Sequence, residues 1–171
     1  MSFIHLMQDN GGDHYYSILR GGISLSTQDE QYVVFAINEN FYAISIHDVA
    51  EIIRMQTVKW VPNSREEFLG VIHLREHIIP IISLHRIFSE DEKTIDSKTR
   101  MIVLQTNDQE FGFVVDEVDH VMFLSDEHIS PAPHMSQSEW ITGVYHHDSK
   151  TIALLNLQTL LQQVDIQKVL D

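Results

Sequence analysis

Leu69–Phe88, LGVIHLREHIIPIISLHRIF, and Thr142–Leu161, TGVYHHDSKTIALLNLQTLL, lie over one another without a gap at an offset of 73 residues. Gly70 falls on Gly143, Val71 on Val144, His73 on His146 and Leu84 on Leu157, while Ile79, Ile81 and Ile82 meet Ile152, Leu154 and Leu155. Upstream the register continues at an offset of 69, which sets Tyr42 on Phe111, Asp48 on Glu117, Val49 on Val118 and Pro62 on Pro131. The apolar positions survive the repeat and the polar ones change, so two similar β-rich units share a scaffold and differ on their surfaces.

Size and composition bound what such a pair can be. Each unit of roughly 60 to 70 residues would bury only about 60% of its unfolded surface alone, so the units are expected to pack on one another. The 171 residues carry 25 acidic against 11 basic side chains, a net charge of −14, which repels phosphate backbones and excludes nucleic acid as a general partner. No apolar run approaches the roughly 20 residues that span a bilayer, so no membrane insertion is expected. The chain begins without a basic segment leading into an apolar stretch, so no secretory signal is expected. Cysteine is absent, which removes disulfide and thiol chemistry and agrees with a cytoplasmic setting.

Residues 1–29, with two Gly-Gly pairs and no sustained period, read as an N-terminal extension. From Gln31 an alternating pattern predicts a hairpin, Tyr32–Ile37 and Phe41–Ile46 around Asn38-Glu39-Asn40. In Asp48–Arg54 the spacing of Val49, Ile52 and Ile53 predicts a short helix with Asp48 near its start. A strand over Thr57–Val61 and a second hairpin, Val71–Leu74 with Ile78–Ile82, complete the unit, and Ser83 caps a short helix. Ser89–Thr99 reads as a charged linker. The second unit repeats the order, with strands over Arg100–Gln105 and Glu110–Val115 and with Asn156 in the capping place of Ser83. The fold expected is mainly β: two small five-stranded barrels, about 31–90 and 100–161, in one domain of about 30–168 with a short C-terminal helix or tail to residue 171.

The order Phe-Tyr-Ala-Ile-Ser-Ile (41–46), Val-Ala-Glu-Ile (49–52), Trp-Val-Pro-Asn (60–63), Phe-Leu-Gly-Val-Ile-His-Leu-Arg (68–75) and Pro-Ile-Ile-Ser-Leu (80–84) resembles the CheW-like domain of bacterial chemotaxis adaptors. Gly112–Val118 and Ile141-Thr142-Gly143 extend the resemblance to about 130 residues. It implies two SH3-like barrels with a hydrophobic groove between them. It also implies a non-catalytic adaptor that couples the cytoplasmic tip of a chemoreceptor to the regulatory domain of a CheA-type histidine kinase, in chemotaxis or in a related chemosensory system such as twitching motility. Carried over by position, its receptor-binding residues would be Val49, Glu51, Ile53, Leu74 and Arg75. The family's Asn-Leu-Arg-Gly appears here as His73-Leu74-Arg75-Glu76. The missing glycine implies positive φ at Glu76, or a neighbour that absorbs the bend at a cost of about 1 to 2 kcal/mol.

From the residues alone, Arg75 is a solvated turn residue and Glu51 a solubilising charge on the outer face of a helix. Met55, Val71 and Leu74 read equally as core or as groove residues, and Trp60 and Trp140 as core or inter-unit packing. The histidines raise an alternative, a metal-dependent sensor or hydrolase, since His73 and His77 are four apart and His146-His147-Asp148 occupy the matching turn. Four convergent ligands, or three with an open position, would be needed, and no HExxH spacing exists. The chain has no phosphate-binding glycine loop, no GxSxG elbow and no cysteine nucleophile, and Asp116 and Glu117 are adjacent rather than opposed across a substrate. No catalytic residue, metal or cofactor is therefore assigned.

Overall fold

The computed structural model describes residues 30–106, 109–125, 128–132 and 139–164. The expected N-terminal extension, residues 107–108 between the expected strands Arg100–Gln105 and Glu110–Val115, and the C-terminal tail beyond residue 164 lie outside the described residues. Among the described residues eleven strands and two short α-helices, with one 3-10 turn at Ile46–Asp48, follow in order: β1 Glu30–Ile37, β2 Asn40–Ser45, β3 Val49–Arg54, β4 Phe68–Leu74, β5 His77–Ser83, α1 Leu84–Ile87, β6 Arg100–Thr106, β7 Gln109–Val115, β8 Glu117–Leu124, β9 Ile129–Pro131, β10 Ile141–His147, β11 Lys150–Leu155 and α2 Leu157–Val164. They form two sheets, one ordered β8-β1-β2-β11-β10-β9 and the other β3-β6-β7-β5-β4. The molecule is mainly β, as the repeat predicts.

The two sequence units and the two sheets do not coincide. Each sheet takes its leading hairpin, β1–β2 or β6–β7, from one unit and its remaining strands from the other. The exchange is symmetric down to single pairs. Phe35 opposite Val118 in the first sheet becomes Leu104 opposite Val49 in the second, because 35 + 69 = 104 and 118 − 69 = 49. The parallel pair Leu154–Ala43 becomes Ile81–Gly112, because 154 − 73 = 81 and 43 + 69 = 112. Neither unit can complete a sheet alone, and the sheets themselves hold the halves together.

Burial follows this interleaving. β1 points Val33, Phe35 and Ile37 into a central core shared by both sheets, where they meet Ile82, Ile102, Leu104, Phe111 and Phe113. Its alternate residue Val34 lies in a core on the other side of its own sheet with Ala43, Ile152 and Leu154. The matching core of the second sheet holds Ile53, Ile72, Ile79, Ile81, Met101 and Val103. Central strands are thus buried on both faces, and their apolar runs are nearly continuous rather than alternating.

The segment expected to be helical is strand β3. A bulge at Ala50, between the pairs Val49–Leu104 and Glu51–Val103, shifts its parity, so Val49 and Ile52 both pack on the central core while Ile53 packs on the second-sheet core. A bulged strand buried on both faces places apolar residues three apart, which imitates the helical period. β8 repeats the device with Val118 and Val121 around a bulge at Asp119. The expected strand over Thr57–Val61 is reduced to one bridge, Lys59 to Val71. Trp60, next to that bridge and without a sheet to cover it, is 70% exposed, whereas Trp140 is 7% exposed and stacks on Phe88 at 4.5 Å.

Gly70 and Gly143 share a physical reason. A Cβ on Gly70, which holds φ of 137°, would sit 2.3 Å from the Lys59 carbonyl oxygen, and one on Gly143 would sit 2.6 Å from Ile129 Cγ2. Both glycines let a third segment cross close to a hairpin. Both helix caps form as expected, with the Arg86 N–H donating to Ser83 Oγ at 3.3 Å and the Thr159 N–H to Asn156 Oδ1 at 2.9 Å.

Candidate partner-binding site

No strand ladder among the described residues closes either sheet, and side chains reach across each one instead. β3 and the β4–β5 hairpin lie at opposite ends of the second sheet, yet Arg75 at the hairpin tip reaches Glu51 on β3 at 3.3 Å. The sheet therefore curls until its ends face each other. In the first sheet Lys150, beside the turn at the tip of the β10–β11 hairpin, reaches Asp119 on the edge strand β8 at 2.9 Å and lies 4.2 Å over the Phe41 ring. Burial raises the Asp119 carboxyl, but Lys150 and then His120 outweigh it and hold the group below the usual carboxylate range.

All five residues assigned from the resemblance lie on the second sheet, and all but Val49 gather on the side away from the central core. Glu51 is not a solvated helix charge: its side chain is 12% exposed and depends on Arg75 for a partner. Ile53 belongs to the core beneath it and Leu74 packs against that core. Val49 is buried in the central core on the other side of the bulge. Arg75 keeps 68% of its side chain exposed and presents a cation at the rim. The result is a curled sheet edged by a guanidinium that a nearly buried carboxylate holds in place. Sequence reasoning missed the Glu51–Arg75 contact because the two residues are 24 positions apart and the helical reading turned Glu51 outward.

The missing turn glycine is resolved by the neighbour. Arg75 takes the left-handed conformation, φ 56°, and Glu76 is not among the residues of positive φ. Asn38 and Asp148 hold φ of 52° and 53° at the same point of their own two-residue turns.

A partly buried polar network joins the two sheets. Asp116, the single residue between β7 and β8, accepts the Asn38 N–H at 2.6 Å and faces His85 Nε2 at 3.1 Å, with both side chains buried. The Asn38 amide donates to Glu90 at 2.7 Å, and the Glu90 N–H returns to the His85 carbonyl at 2.8 Å. Asn40 also donates to Glu90, at 2.9 Å. The start of the charged linker is thus tied to the first hairpin turn. Burial, and then the charge of Glu90, pushes the Tyr42 hydroxyl up to about 12.

His73 and His77 do not converge. His73 is opposite Ile78 and His77 opposite Leu74, which sets them on opposite faces of one hairpin, and His77 Nδ1 lies 2.5 Å from Glu110. No group of three or more His, Asp or Glu among the described residues is arranged to hold a metal ion. No helix among them is long and apolar enough to cross a membrane.

The CheW-like domain family matches residues 31–165. The chain belongs to that family. It is 29% identical over 156 residues to the chemotaxis protein CheW of Treponema pallidum, a match covering 86% of this chain and 92% of that one. With the chemotaxis protein CheW of Bacillus subtilis the identity is 31% over 142 residues, covering 83% and 87%. The crystal structure of the scaffolding protein TtCheW from Thermoanaerobacter tengcongensis superposes with a TM-score of 0.74 at 26% identity, covering 83% of this chain and 94% of that one. Fold and family agree with the resemblance read from the motifs.

Proposed function

We propose that this CheW-like chain is a non-catalytic adaptor that couples the cytoplasmic tip of a chemoreceptor to the regulatory domain of a CheA-type histidine kinase. Its setting is the cytoplasm, at receptor arrays reached through those partners. The observation that carries the reading is the rim of the second sheet, where Glu51 fixes the exposed Arg75 above the core that holds Ile53 and Leu74. A rim cation held in one geometry steers an oppositely charged partner and fixes its register. Val49, Glu51, Ile53, Leu74 and Arg75 form the receptor-binding set in this reading, with Arg75 as the contact and Val49, Glu51 and Ile53 as its support.

The test is Arg75→Gln, which removes the charge and leaves an amide to hydrogen-bond Glu51. Affinity for a soluble receptor cytoplasmic fragment, measured by calorimetry, should fall roughly tenfold or more, the range of a tightly coupled interface charge. The circular dichroism spectrum should not change. Undiminished affinity in the folded variant would remove Arg75 from the interface.

A further inference from the structure

The bonds between the two halves and the bonds within them are of different kinds. Between them run the ladders β1–β8, β2–β11, β3–β6 and β5–β7, with the Asp116 network beside them. The side-chain contacts that reach across each sheet lie within one half, Glu51–Arg75 before the linker and Asp119–Lys150 after it. The linker divides in the same way. Its start is tied to the first half, where Glu90 accepts from Asn38 and Asn40 at 2.7 and 2.9 Å and Glu92 accepts from Arg86 Nε at 2.6 Å. Its end is tied to the second half: Asp96 accepts the Thr99 N–H at 3.2 Å, Arg100 holds the Ser97 carbonyl at 2.7 Å and Lys98 reaches Glu117 at 3.2 Å. Lys93, Thr94 and Ile95 bridge the two joints, and all three are exposed.

We infer that a second copy of this chain is a partner, taken up by exchange of halves. Residues 30–92 of one copy pair with residues 96–164 of the other, and Lys93-Thr94-Ile95 opens as the hinge. A ladder is indifferent to which chain supplies its strands, so the exchanged dimer keeps every ladder, both cross-sheet contacts and the Asp116 network twice over. The hinge and the concentration then decide between the two forms. A short bridge holds its own halves together at an effective concentration in the millimolar range, so exchange competes where chains are crowded to that level. The product carries two Glu51–Arg75 rims on one particle.

Cysteine is absent, so introduced thiols report the pairing directly. Gln31 in the first half lies opposite Phe123 in the second, and directly opposed antiparallel residues have a Cα separation that a disulfide accepts. Full-length chains with Gln31→Cys alone and Phe123→Cys alone are mixed at about 1 mM, refolded together from urea and oxidised. A covalent dimer linking position 31 of one copy to position 123 of the other is expected, in several-fold excess over links between like positions. The double variant Gln31→Cys/Phe123→Cys, which links within one chain when dilute, shows that the pair can close. Deleting Lys93, Thr94 and Ile95 removes about 10 Å of reach while both joints stay tied, and should raise the yield of the mixed link several-fold. If the mixture gives only monomers, or mixed links no commoner than like ones, exchange is overturned. A folded deletion variant with an unchanged yield overturns the assignment of the hinge.

Discussion

Removing the carboxylate of Asp116 tests whether the polar network holds the two sheets together. Asp116→Ala strips the Asn38 N–H of an acceptor held at 2.6 Å and leaves the His85 imidazole without its partner in a site where both side chains are buried. Each orphaned buried polar group costs about 1–3 kcal/mol, and here two lose their partner at once. We expect a loss of about 4 kcal/mol, a large share of the roughly 5–15 kcal/mol that stabilises a typical domain. With a urea slope of about 2 kcal/mol per molar, the unfolding midpoint should drop by roughly 2 M at unchanged slope. Asp116→Asn keeps an acceptor for Asn38 and should lose less than half as much. A double-mutant cycle with His85→Ala should show a coupling of at least about 1 kcal/mol, since the two groups share one network. A loss below about 1 kcal/mol for Asp116→Ala, or additive effects in the cycle, would refute the claim that the network is a structural tie.

Tyr42 supplies a pH signature. Its hydroxyl is pushed up to about 12 from 10.0, so between those values the unfolded chain has given up its proton and the folded chain has not. Stability should therefore fall with rising pH, by about 1.4 kcal/mol per unit from this group, and Tyr42→Phe should lack that component. Identical alkaline profiles for the two proteins in urea titrations would contradict it. Two glycine substitutions separate real backbone strain from apparent strain. Ser89 closes α1 at φ 56°, with its N–H on the Arg86 carbonyl at 3.1 Å and the Glu90 N–H on the His85 carbonyl at 2.8 Å. Ser89→Gly relieves a left-handed residue and should stabilise by roughly 0.5–1 kcal/mol. Glu76→Gly relieves nothing, because Arg75 absorbs the bend, and should destabilise by up to about 1 kcal/mol. The opposite ordering in thermal melts would show that the turn has been read wrongly.

The repeat and the hairpins were legible in the sequence because both rest on period-two burial and on turn residues, which act locally. Strand β3 was not, since its bulge replaces alternation by a three-residue spacing that a helix also produces. The exchange of hairpins between sheets left no local trace either. Only the continuous burial of β1 and β6, apolar on both faces, hinted that each lies between two cores. At the candidate site the motif located Arg75 and Leu74, but the role of Glu51 needed the curl of the sheet that brings β3 to the hairpin tip. Trp60 was misplaced because a large aromatic beside a predicted strand reads as core, and that strand shrinks to a single bridge.

The central claim is that this chain joins a kinase to a receptor, and sedimentation of the kinase tests it most directly. Membranes bearing a chemoreceptor should be pelleted with a CheA-type kinase in the presence and absence of the chain. The account predicts that kinase in the pellet rises several-fold when the chain is added and returns towards background with Arg75→Gln. Kinase recovery that is the same with and without the chain would contradict it.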